Sequence, residues 1–217
     1  MRGLFLLQIW KKAMKTVSCM NIDPDLLYSY DGEDKSYKKG EAIYREGDHA
    51  LYYYQILTGK IKQNNYNDEG KEFIQNILGE KQSFGDPMLF LEKFYAMNAI
   101  ALTDVELIRV PKKNFMELLE KNPKISLDMN TCLSQRLYFK AIMLQNMSSP
   151  NPFSRLKGLL DYLKSYHDGE CDHCFQVELT RQQMADLTGI RVETVIRTLK
   201  RMEKQGIIKI ENRKILY

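Results

Sequence analysis

Leu179–Met202 reads LTRQQMADLTGIRVETVIRTLKRM, two short helices joined by a tight turn. Thr180 is placed to cap the first helix, with Gln183 at the capping-box spacing of three. Met184, Ala185 and Leu187 give that helix its apolar side. Gly189 follows as a left-handed stop, and Ile190 can pack under the turn. The second helix runs from about Val192. Its inward stripe is Val195, Leu199 and Met202, at i, i+4 and i+7. Its other side carries Arg191, Glu193, Thr194, Arg197, Lys200 and Arg201.

Two helices in this order make a helix-turn-helix, whose second helix enters the major groove of DNA. The residue types suit the groove, since Arg pairs bidentately with guanine and Glu accepts from the cytosine amino group. The candidate DNA-binding residues are therefore Thr180, Arg181 and Gln182 on the first helix. On the second they are Arg191, Val192, Glu193, Thr194, Arg197, Lys200 and Arg201. An ordinary amphipathic pair with a solvated basic face and a Glu193–Arg197 ion pair has the same spacing.

TRQQMADLTGIRVETVIRTLKRMEKQGII also resembles the DNA-binding motif of the Crp–Fnr transcription regulators. The family pattern is T-R-x-x-[IL]-[AG], then G, then E-T-V-x-R and a trailing L. Every part is present, except that Met184 stands at the Ile/Leu place. The resemblance implies sequence-specific DNA binding by a homodimer, with RNA polymerase as a further partner.

Charge supports a local contact rather than a polycation. Residues 178–217 hold nine Lys/Arg against five Asp/Glu, and the other 177 residues hold 23 of each sign. The net +4 thus sits in the C-terminal module, which suits a nucleic-acid contact. Four cysteines in 217 residues are too few for a disulfide scaffold and point to a reduced cytoplasmic compartment. The N-terminal MRGLFLLQIWKKAMK has an apolar run too short to cross a bilayer, so no membrane partner is expected. Its charges fit no signal peptide, and no small-residue cleavage site follows. It reads as a marginal amphipathic segment, or as an extension upstream of a start at Met14.

Residues 1–29 are expected to hold that extension and a short helix near Pro24–Tyr28. From residue 30 to 120 the texture changes. Short runs at Ala42–Tyr44, Leu51–Leu57, Lys60–Tyr66, Glu72–Leu78, Ala99–Ala101 and Val105–Val110 alternate with glycine turns. That pattern predicts a β-sandwich or jelly roll. The segments YKKGEAIYREGD, YYYQILTGKIK, DEGKEF, SFGDPMLF and TDVELIRVPKKNF are similar to the cyclic-nucleotide-binding-like β-roll of the same family. The expected class is α+β: an N-terminal β-roll, a long dimerisation helix and a C-terminal winged helix-turn-helix.

Residues 121–149 are expected to be the long helix and a hinge. Met129, Leu133, Leu137, Ala141 and Leu144 make a stripe that must be buried against something. The resemblance makes this a dimer contact; an intrachain core helix is the other reading. Residues 150–217 then hold an amphipathic helix over Phe153–Tyr166, a polar loop, a short strand at Gln176–Leu179 and the helix-turn-helix. A hairpin of Ile207–Glu211 and Lys214–Tyr217 closes the module as a wing. Arg213 and Lys214 at its turn are placed to reach phosphate.

In relatives that bind cyclic AMP, a short helix after Phe-Gly-Glu leads to an Arg-Ser pair that holds the phosphate. Here Phe84 and Gly85 match and Asp86 replaces the Glu. The Arg-Ser places fall at about Ala96-Met97, and no Arg lies between Phe84 and Arg109. The Thr-Ser pair that meets the adenine corresponds to about Lys140-Ala141. The roll is therefore expected without cyclic AMP. Phe84, Gly85, Asp86, Met97, Asn98 and Lys140 are the candidate lining of any remaining pocket, with Lys93 or Lys140 a cation for some other anion.

Cys171-Asp172-His173-Cys174, with His167 upstream, admits a zinc half-site, a redox pair or two unremarkable cysteines. Only Cys19 lies near the N-terminus, so the iron–sulfur cluster of the Fnr branch is not expected, nor any other cofactor or resident metal. No glycine-rich phosphate loop, nucleophile elbow or His-Glu metal spacing points to an enzyme. The competing class is a ligand-binding or redox-sensing regulatory module without DNA function. Such a module has no need of the basic face formed by Arg191, Arg197, Lys200 and Arg201.

Overall fold

The computed structural model describes residues 20–164 and 173–217. Expectations about residues 1–19, and about His167 and Cys171, lie outside the described residues. The chain divides into two compact units, with the boundary between residues 134 and 135.

The first unit begins with α1 (Pro24–Tyr28), capped by the Asp23 carboxylate, which accepts from Asp25 N. Eight strands follow: β1 (Glu33–Tyr37), β2 (Ala42–Tyr44), β3 (Tyr52–Thr58), β4 (Ile61–Tyr66), β5 (Glu72–Leu78), β6 (Ser83–Phe84), β7 (Asn98–Ala101) and β8 (Val105–Pro111). They form two antiparallel four-stranded sheets, ordered β1-β8-β3-β6 and β2-β7-β4-β5, which is the jelly roll expected. A short helix, α2 (Asp86–Leu91), follows β6, and α3 (Lys112–Lys121) follows β8.

β3 is buried on both faces over Tyr53, Tyr54, Gln55 and Ile56. The reason is α3, which packs on β3 and β8 and stacks Phe115 on Tyr53 at 4.1 Å. The one polar side chain in that run, Gln55, is fully hydrogen-bonded. Its Oε1 accepts from Ile22 N, and its Nε2 donates to the Ile22 carbonyl. A buried amide without such partners would cost about 1–3 kcal/mol.

α4 (Pro123–Ser148) is the long helix. Its first half packs on the roll. Met129 is only 2% exposed and belongs, with Cys132, to the core of the roll; Ile125 and Leu133 pack against the same core. Met129 is thus covered by the intrachain core, and Leu133 only in part. Further along, Leu137 and Leu144 are 72% and 71% exposed.

The second unit contains α5 (Pro152–Lys164), β9 (Gln176–Val177), α6 (Arg181–Thr188), α7 (Val192–Lys204), β10 (Lys209–Glu211) and β11 (Lys214–Leu216). α5 buries Leu156, Leu159 and Leu160 and packs on both α6 and α7. The strands form one sheet, ordered β10-β11-β9.

Candidate nucleic-acid interface

The helix-turn-helix is held by its own sequence. Thr180 Oγ1 accepts from Gln183 N at 3.1 Å, and Gln183 Oε1 accepts from Thr180 N at 2.8 Å. This is the complete capping box. Gly189 ends α6 at φ +67°, with its N–H bonded to the Ala185 carbonyl. A residue with a Cβ would be strained there. α7 buries Val195, Thr198, Leu199 and Met202, so the expected stripe is the inward one.

The opposite side of α7 is uncommitted. Arg191, Glu193, Arg197, Lys200 and Arg201 are exposed, and Val192 and Thr194 are half-buried. Arg197 Nη2 makes only a long 3.4 Å bond to Thr194 Oγ1, and among the described residues no Glu193–Arg197 ion pair forms. Arg201 lies over the Phe153 ring at 5.4 Å. Arg191 caps α7 without a side-chain hydrogen bond, which leaves its guanidinium for another partner. Solvated cations on one face cost little while free, and each can meet a phosphate or a base edge. Ile196 is exposed beside that row and is not among the candidates named from the sequence. The signal for it is an apolar residue that falls off the Val195–Leu199–Met202 stripe.

The first-helix candidates are engaged differently. Thr180 is used in the capping box, and Gln182 Nε2 donates to Asp186 Oδ1 at 2.9 Å. Arg181 Nη1 donates to the Arg213 carbonyl at 2.9 Å, tying α6 to the wing tip. In the wing Glu211 pairs with Lys214, leaving a two-residue turn in which Asn212 and Arg213 have φ +49° and +66°. Two left-handed residues match the twist of a tight hairpin, where Asn-Gly is the preferred pair. Arg213 and Lys214 are exposed at this turn.

Inside the roll the candidate ligand residues mostly serve the protein. Phe84 is buried and stacks on Tyr54 at 5.0 Å, and Tyr44 stacks on Tyr95 at 3.6 Å. Burial pushes the Tyr54 phenol up to about 12 and raises that of Tyr95 as well, so both rings stay neutral. Gly85 has φ +79°, and a Cβ there would approach the Tyr54 ring at 3.1 Å and the Tyr95 hydroxyl at 3.3 Å. Asp86 is buried at the start of α2. Asn98 is half-buried; its Oδ1 accepts from Glu46 N, and its Nδ2 donates to the Asn64 carbonyl. Met97 is half-buried, while Lys93 and Lys140 are exposed. Cys174 is disulfide-bonded, and Cys132 is buried and forms no disulfide. No helix among the described residues is long and apolar enough to cross a membrane.

Comparison with known proteins agrees with this architecture. The model of the cyclic nucleotide-binding domain matches residues 34–122, and that of the Crp-like helix-turn-helix domain matches residues 154–217. The cAMP-activated global transcriptional regulator CRP of Haemophilus influenzae is 26% identical over 182 residues, 83% of this chain and 81% of that protein. The global nitrogen regulator of a Nostoc species is 27% identical over 187 residues, 83% of each. A mutant CooA from Carboxydothermus hydrogenoformans shares the fold at TM-score 0.76 and 18% identity, over 94% of this chain and 93% of that one. With a roll, a long helix and a winged helix-turn-helix in the order of these relatives, the chain belongs to the Crp–Fnr family of transcription regulators.

Proposed function

We propose that the protein works as a cytoplasmic homodimer on a pseudo-palindromic operator, and that cyclic AMP does not control it. Each α7 enters one half-site, the two lying about one helical turn (~34 Å) apart, and RNA polymerase is the further partner. The observation that carries the reading is the row Glu193, Arg197 and Lys200, exposed along α7. A protein that kept its helix-turn-helix only as scaffold would have no use for that row.

Two exposed leucines support the dimer. Leu137 and Leu144 lie seven residues apart, so they share one face of α4, and both keep most of their surface in water. Covering such side chains contributes about 1.5–3 kcal/mol each. A two-fold protein also fits a two-fold operator.

The roll supports independence from cyclic AMP. The Haemophilus influenzae relative is named for activation by cAMP. Here the stretch from Gly85 to Ile108 contains no Arg, so a phosphate would lack the bidentate partner that makes such a bond strong. A Cβ at Gly85 would already meet the Tyr54 ring at 3.1 Å and the Tyr95 hydroxyl at 3.3 Å. Calorimetry should show no cyclic AMP binding at micromolar levels, and DNA affinity should not change on its addition. A micromolar dissociation constant contradicts this.

Sedimentation at micromolar concentration tests the dimer. Wild type should run as a dimer. Leu137→Glu should run as a folded monomer that has lost tight DNA binding, since one half-site alone is held weakly. An unmutated protein that is monomeric at every concentration contradicts the proposal.

A further inference from the structure

We propose that Ile196 reads a thymine methyl group in each half-site, as the apolar edge of the recognition helix. This deepens the DNA-binding reading above and rests on it. α7 buries Val195, Thr198, Leu199 and Met202, and the direction opposite them carries Glu193, Arg197 and Lys200. Ile196 belongs to neither set. It is 41% exposed and flanks the charged row on the side away from Thr194 and Arg201. Val192, half-buried, stands one turn before it. Residues four apart on a helix are neighbours, with Cβ atoms about 5–6 Å from each other. The two β-branched side chains therefore make a continuous apolar edge beside Glu193 and Arg197.

A β-branched residue forms helix less readily than Lys, Glu or Gln, and Ile196 leaves 41% of its surface in water. A single exposed Ile on an arbitrary surface would need no explanation. This one stands on the face that meets base edges. In the major groove the apolar feature is the C5-methyl of thymine, while the other edges present donors and acceptors. An isoleucine pressed on those would strand their hydrogen bonds. Thymine is the base that gains from it. Ile196 lies between Glu193 and Arg197 along the helix, so its thymine adjoins the pairs that those two residues read.

The test uses the full-length protein and duplexes enriched by it from a randomised pool. Each thymine of the enriched half-site is replaced in turn by uracil, which removes only the methyl, and affinity is read by fluorescence anisotropy. One position next to the Arg197-dependent pair should weaken wild type about four-fold on uracil substitution. At that position Ile196→Ala should bind the thymine and uracil duplexes equally, while Val192→Ala should keep the difference. The uracil scan on wild type needs no variant, so it stands even if Ile196→Ala folds poorly. If no uracil weakens wild type, or if Ile196→Ala still prefers thymine, the inference is overturned. Enrichment that depends on Arg197 without any methyl effect removes this inference alone. A pool with no enriched duplex removes the DNA-binding reading together with it.

Discussion

The roll and the helix-turn-helix treat their polar and aromatic residues in opposite ways. Within the roll, partners are found inside the chain: Tyr44 on Tyr95, Phe84 on Tyr54, Asn98 between Glu46 and Asn64. On α7 Glu193, Arg197 and Lys200 are exposed, and Arg197 has one long bond to Thr194. A surface that leaves its charges uncommitted retains binding capacity. The roll engages most of these groups itself, although Asn64 Oδ1 stays buried without a hydrogen-bond partner. The contrast explains why the sequence similarity to cAMP-activated relatives can extend across both units while the proposed activity resides in one of them.

The contrast is broken most severely by opening the roll. Phe84→Ala should cost about 3–5 kcal/mol of stability in denaturant unfolding, the range for a fully buried aromatic. A loss below about 1 kcal/mol would mean that the cluster is loosely packed and that the interior retains room. Arg197→Ala comes next. It should weaken binding to an enriched duplex by about 1–3 kcal/mol and relax selection at one base position, with no change in thermal midpoint. Thr180→Ala should cost about 1 kcal/mol of stability by losing the cap on α6. Equal effects of Thr180→Ala and Arg197→Ala on base selection would erase the distinction between scaffold and reading face. The smallest effects concern phosphate. Lys200→Ala should weaken all sequences alike and lower the salt slope by about one. Arg213→Gly should do the same while leaving stability unchanged or slightly raised, because glycine tolerates the left-handed turn position that Arg213 occupies.

The helix-turn-helix was legible because its signals are local. Thr180 with Gln183, Gly189, and the Val195–Leu199–Met202 spacing each specify structure within a few residues. Partners across the chain were not legible. Arg181 looks like a DNA contact in sequence, but the Arg213 carbonyl that it holds lies 32 residues on. β1 was missed because EDKSY has no apolar alternation; it is an edge strand fixed by pairing with β8 and by the Glu33–Arg109 ion pair at 2.8 Å. α3 carries the helical spacing Phe115, Leu118 and Leu119, but it is only ten residues long and directly continues β8, so no intervening turn marks its start. In α4 the apolar stripe was visible, but a one-dimensional stripe does not say what covers it. The roll takes Met129, and Leu137 stays open.

The central claim is that the uncommitted face of α7 reads DNA in two symmetric copies. Selection of duplexes from a randomised pool by the full-length protein tests it most directly. The expected result is an inverted repeat with half-sites about one helical turn (~34 Å) apart, whose innermost reading is lost with Arg197→Ala. No enrichment, or enrichment of a single unrepeated element unaffected by Arg197→Ala, would contradict the account.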